Sequence, residues 1–157
     1  MANDLSSLLN EGVILNSQSA ESRKQILAIM AEALGNKLGI DGREILDSVL
    51  ERESLGSTGV GEGVAIPHAR IDGLAAPVGA FVHLHEGVDF DAIDGRACDL
   101  IFMLLAPHSS GADHLRALAQ VSRTFRNADL RDRLRHAQGM HDTHAILCPS
   151  SAKADAA

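Results

Sequence analysis

The chain reads as an α/β protein with a mixed sheet flanked by helices, and three observations predict this. Segments with helical spacing alternate with short strand-like runs, the pattern of layered α/β folds. Within 99–106, the run Leu100-Ile-Phe-Met-Leu-Leu105 is continuously apolar, as a central strand covered on both faces must be. The short spacing between a strand at 78–84 and another at 89–92 adds antiparallel pairing and so predicts a mixed sheet.

The elements follow in order. Leu5, Leu8 and Leu9 predict a short helical turn, and Val13-Ile14-Leu15 a first strand. Ser19 or Ser22 caps a helix running to Leu38 through Ile26, Met30, Leu34 and Leu38, and Gly39 ends it. Asp41 starts a second helix, with a core face of Ile45, Leu46, Val49 and Leu50 and an end near Arg52. Residues 70–73 read as a turn. The strand over 78–84 alternates through Ala80, Val82 and Leu84, with His83 and His85 on one face. Residues 89–95 read as a short strand and a turn carrying three aspartates, a solvated acidic loop. After the central strand, Ser110 and Asp113 have capping-box spacing. The following helix is expected to bury Leu115, Leu118, Val121 and Phe125, and a last helix over 129–137 to pack through Leu130 and Leu134.

The chemistry concentrates in R-E-S-L-G-S-T-G-V-G-E-G-V-A-I-P-H-A-R, residues 52–70. Glycines 56, 59, 61 and 63 let the backbone come close to a ligand, and their N–H groups can face an anion. Pro67 fixes its own φ and holds Ile66 extended, so His68 is presented from a stiff backbone. That suits a histidine that accepts and releases a phosphoryl group. The same residues also fit an ordinary turn with a polar histidine at its rim. Arg52 has two readings, a helix-end cation and a fork for phosphate oxygens. His114, in the first turn of its helix, reads either as a surface residue or as a group beside an anion site. Neither G-x-x-x-x-G-K-[ST] nor a G-x-G-x-x-G between strand and helix occurs, which argues against a loop that cradles ATP or a dinucleotide.

Composition bounds the remaining classes. The 157 residues suit one domain, which would bury about 68–70% of its unfolded surface. A net charge of −7 and an aromatic content of 3%, without Trp or Tyr, argue against nucleic acid as a partner. Cys98 and Cys148 read as buried or free thiols in a reducing compartment. No apolar run reaches the length of a membrane span and no signal peptide is evident, so a cytoplasmic location is expected. The His83/His85 pair lacks supporting ligands, and His108, His136, His141 and His144 match no metal template; neither metal nor cofactor is expected.

Residues Glu53 to Ala69 resemble the phosphorylation-site signature of the fructose/mannitol-type enzyme IIA domains of the bacterial phosphotransferase system. Glu53, Val60, Gly61, Val64, Ala65, Ile66, Pro67, His68 and Ala69 fill its slots. The run from Arg52 through Gly-Ser-Thr-Gly, and Phe90-Asp-Ala-Ile-Asp-Gly95, are most similar to the nitrogen-related branch. The resemblance covers roughly residues 5–147, taken as the domain, with a small polar tail over 148–157. It implies a mostly five-stranded mixed sheet and a tele-phosphohistidine at His68, supported by Arg52 and His114. Phosphoryl oxygens would be held by the loop of Gly56, Ser57, Thr58, Gly59, Gly61 and Gly63. The implied donor is a small histidine phosphocarrier of the nitrogen type. The implied output is control of partner proteins in nitrogen and carbon metabolism and potassium homeostasis. The alternative is a sugar-specific component that passes the group to a IIB domain.

Overall fold

The computed structural model describes residues 4–15, 17–109 and 111–150. Helix α1 (Ser6–Leu9) leads into strand β1 (Val13–Ile14), then helices α2 (Arg23–Leu38) and α3 (Gly42–Ser54). Strands β2 (Gly59–Gly61), β3 (Val64–Ala65), β4 (His68–Ile71), β5 (Val78–Val88) and β6 (Cys98–Pro107) follow. Helices α4 (Gly111–Arg126), α5 (Ala128–His136) and α6 (Met140–Leu147) complete the order.

Local chemistry sets the helix ends. The Ser22 side chain accepts the Gln25 N–H at 3.1 Å, and Gly39 closes α2 in the left-handed conformation at φ 71°. The Asp41 carboxylate accepts the Arg43 N–H at 2.9 Å and opens α3. Helix α3 runs two residues past Arg52, so this arginine lies inside the last turn. Ser110, the expected cap of α4, lies outside the described residues, as does 151–157 of the expected tail; Cys148 is fully buried.

The sheet is mixed, in the order β1-β5-β6-β3-β2, with β4 also paired to β6. Its six strands therefore occupy five positions. Both β3 and β4 run parallel to β6, one beside Leu100 and Ile101, the other beside Leu104 to Pro107. Pro67, which has no N–H to give a ladder, lies in the gap between them. The antiparallel partner of β5 is β6, and residues 89–92 form no strand. Strand β5 also extends four residues beyond the expected end, to Val88.

Two cores flank the sheet. Ala80, Val82, Ile101, Met103 and Leu105 face α2 and α3, while Phe81, Leu100, Phe102 and Leu104 face α4 and α5. Both faces of β5 and β6 are thus covered, as the apolar run in β6 predicts. The buried side of α4 is His114, Ala117, Val121, Thr124 and Phe125. Leu115 was expected in this core but is 64% exposed, because the buried stripe falls one residue earlier. Helix α6 has no counterpart among the expected elements; only Thr143 and Leu147 in it are buried.

Candidate functional site

His68 opens β4, opposite Leu104, and its side chain is half-buried. Its Nδ1 lies 2.8 Å from the Ile66 carbonyl oxygen. A carbonyl only accepts, so Nδ1 carries the proton and Nε2 keeps its lone pair. Ile66 precedes Pro67 and its N–H donates to the Thr58 carbonyl at 2.9 Å, which fixes the accepting group in place.

A cleft of about 410 Å³ opens around this ring. Arg52 from α3, Arg70 from β4, His108 after β6 and His114 from α4 line it with His68. Glu51 and Leu55 form part of its outer wall. The Arg52 Nη1 donates to the Gly56 carbonyl at 2.9 Å, and among the described residues no carboxylate pairs with this arginine. The His114 ring is only 6% exposed and sits 5.7 Å from the His68 ring at an interplanar angle of 53°. The Nδ1 of His114 is buried without a hydrogen-bond partner among the described residues.

Both imidazoles are biased toward the neutral form. Burial lowers the His68 pKa and the Arg52 charge adds to this, against the Ile66 carbonyl and Glu53. Burial likewise lowers the His114 pKa, followed by the charges of His68 and Arg70. Desolvation is thus the main cause at His114. A neutral ring with a free Nε2, in a cleft with two arginines that no carboxylate pairs among the described residues, can act as a nucleophile toward a small dianionic group.

The structure brings His68, Arg52 and His114 together, but none of the six loop residues lines the cleft. The hydroxyls of two of them are bonded within the scaffold. The Thr58 hydroxyl is buried and donates to the Glu53 carboxylate. The Ser57 hydroxyl donates to the Phe90 carbonyl and accepts the Gly59 N–H at 3.0 Å. Gly61 and Gly63 belong to the far end of the β2–β3 hairpin. A Cβ at Gly63 would stand 2.5 Å from the Arg135 Nη2 and 2.9 Å from the Asp99 Oδ1. Gly63 therefore admits an ion pair of the scaffold.

Arg70 and His108 were not singled out from the sequence as site residues. Arg70 was read as the start of a turn, yet it lies in β4, two residues from His68 and on the same side. His108 is exposed and lies 3.6 Å from the Asp72 carboxylate across the cleft mouth. Of the H-x-H pair, His83 lies 3.6 Å from Asp99 and His85 is exposed. Among the described residues no group of three or more metal-ligating side chains converges, and no helix is long and apolar enough to cross a membrane.

The fold and this cleft define an α/β protein with a half-buried histidine on its sheet, facing a cleft lined by two arginines and two further histidines. The chain belongs to the family described as phosphoenolpyruvate-dependent sugar phosphotransferase system, EIIA 2, whose model matches residues 7–148. It is 41% identical over 144 residues to a nitrogen regulatory protein of Pseudomonas aeruginosa, covering 91% of this chain and 94% of that one. It is also 41% identical over 109 residues to a fructose-specific EIIA component of Haloferax volcanii, covering 69% of this chain and 71% of that one. The crystal structure of the nitrogen regulatory protein IIA-Ntr of Neisseria meningitidis matches with a TM-score of 0.83 at 32% identity, covering 91% of this chain and 98% of that one.

Proposed function

We infer that the chain is a nitrogen-type IIA protein that accepts a phosphoryl group on Nε2 of His68 and regulates partners through that modification. The observation that carries this reading is the Nδ1–H bond to the Ile66 carbonyl, which leaves Nε2 as the nucleophile. The donor is a histidine phosphocarrier charged from phosphoenolpyruvate. The lone pair on Nε2 forms the new N–P bond as the donor's own N–P bond breaks, and that pair returns to the donor imidazole. Transfer of this kind needs positioning and charge stabilisation more than bond-making by the protein. Arg52 neutralises the transferred group. His114 contributes a hydrogen bond from its ring. The loop from Gly56 to Thr58 acts by placing Ile66 and Arg52.

The nitrogen-type reading is supported by the extent of the match to the Pseudomonas relative, which spans nearly both chains. Partners in nitrogen and carbon metabolism and potassium homeostasis would read a charge change of ≈ −1.5 to −2 in the cleft. The exposed Leu55, on the cleft wall, gives such a partner an apolar contact. The protein is cytoplasmic in this reading and needs no metal or cofactor. A sugar-specific role, with transfer to a IIB domain, is favoured by one observation, the equal identity to the Haloferax component.

Intact-mass spectrometry at neutral pH tests the proposal. The protein is incubated with phosphoenolpyruvate, an enzyme I homologue and a histidine phosphocarrier, beside His68→Ala. One added phosphoryl group on the wild type alone supports it, and an equal gain on His68→Ala overturns the assignment. Pull-downs with both forms, and a IIB acceptor assay, then separate regulation from sugar transport.

A further inference from the structure

The burial pattern of β4 alternates, with Ala69 and Ile71 turned into the core and His68 and Arg70 turned away from it. The Cα atoms of His68 and Arg70 are thus about 6.7 Å apart on one side of one strand. Parallel pairing to β6, with His68 beside Leu104 and Arg70 beside Ala106, makes this placement part of the sheet. Both side chains line the cleft that Arg52 enters from α3. Arg70 is exposed and, among the described residues, has no hydrogen bond or ion pair. Its charge nevertheless reaches the site, since it is felt at the His114 ring. The carboxylate on this wall is Glu51, one residue before Arg52 on α3.

We propose that Arg70 is a second phosphoryl-binding group, gripping the transferred group from the strand side while Arg52 holds it from the helix side. This rests on the reading of His68 as the phosphorylated residue. A phosphoryl group in transfer spreads charge over three oxygens, more than one guanidinium fork satisfies. Two arginines on different elements supply donors from two directions. Arg70 stands on the same strand as the nucleophile, so the spacing of the two Cα atoms is set by the strand repeat and not by loop packing.

The test uses a small donor, phosphoramidate, beside the protein phosphocarrier. With phosphoramidate, the P–N bond breaks, ammonia leaves, and the new N–P bond forms at His68. Arg70→Ala is expected to lower kcat/KM with phosphoramidate by about 10- to 100-fold, the loss that follows from one charge-assisted contact. Arg70→Lys is expected to recover part of it, and the melting temperature of both is expected to match the wild type. Wild-type rates for Arg70→Ala with both donors would overturn the proposal. So would slowing with the protein phosphocarrier alone, which would make Arg70 a docking residue. An Arg70→Lys protein as slow as Arg70→Ala would overturn it too. If the wild type itself takes no phosphoryl group from either donor, the reading of His68 fails first.

Discussion

The His68 Nδ1 and the Ile66 carbonyl oxygen lie 2.8 Å apart, across the proline that joins them in sequence. A backbone acceptor two residues away thus chooses which ring nitrogen is reactive. In 15N-edited NMR of the unphosphorylated protein at pH 8, His68 is expected as the Nδ1–H tautomer. The phosphorylated form is expected to carry phosphorus on Nε2. A dominant Nε2–H tautomer would refute this assignment.

The two site histidines make stability fall on mild acidification. Their folded pKa values lie below 6.5. Near pH 6.5 and just below, the unfolded chain therefore binds protons that the folded chain refuses, and stability rises with pH across that window. Urea denaturation at pH 5.5 and 7.5 is expected to show lower stability at 5.5, with a smaller difference in His114→Phe. Phosphoryl uptake is expected to persist below pH 6.5, because neutral His68 survives there.

The hairpin tip is held by Asp99 and Arg135. The Arg135 Nη2 donates to the Asp99 Oδ1 and to the Glu62 carbonyl, both at 2.8 Å. Burial alone would raise the Asp99 pKa, but the nearby His83 and the hydrogen bonds and charge of Arg135 outweigh it and bring it to about 2. This depressed pKa contributes roughly 2 kcal/mol above pH 3.8, lost as pH falls toward 2. Arg135→Ala is expected to cost about 1–3 kcal/mol in urea denaturation at pH 7. Gly63→Ala is expected to cost a similar ~1–3 kcal/mol, because its φ is 77° and its Cβ would meet the same pair.

Glu53 is buried between Arg23, at 3.1 Å, and the Thr58 hydroxyl. Thr58→Val should destabilise by about 1–3 kcal/mol through loss of one bond to a buried carboxylate. Because Thr58 also holds Ile66 through its carbonyl, phosphoryl uptake by Thr58→Val is expected to slow several-fold. An unchanged rate would mean the backbone bond holds Ile66 without the side chain.

Cys98 and Cys148 are both buried, and burial pushes both thiols up to about 11. Native protein at pH 8 is expected to resist iodoacetamide, while urea-unfolded protein takes two labels.

The parts of this molecule that could be read from the chain are those with a local physical signal. Ser22, Gly39 and Asp41 mark helix ends through caps, and β6 shows itself by an unbroken apolar run. Leu115 misled because it sits one residue from the buried stripe of α4. Helix α6 was missed because only Thr143 and Leu147 in it are buried, too few to mark a helical stripe. Arg70 was hidden by Asp72-Gly73, whose turn signal was extended backward over two strand residues. At the site, His68 was visible through Pro67 and the glycines before it. The destinations of the Ser57 and Thr58 hydroxyls were not visible, since Phe90 is distant in sequence and no local pattern marks Glu53 as buried.

His68 is mounted on the sheet, while Arg52 and His114 come from helices on its opposite faces, each seated on a separate core. The three-residue site is therefore a gauge of how the layers are stacked. A partner that pressed on α3 alone, or on α4 alone, would change the spacing at His68 without touching the cleft, and the reverse also holds. A group added at His68 would stand where the two helical layers and the sheet meet.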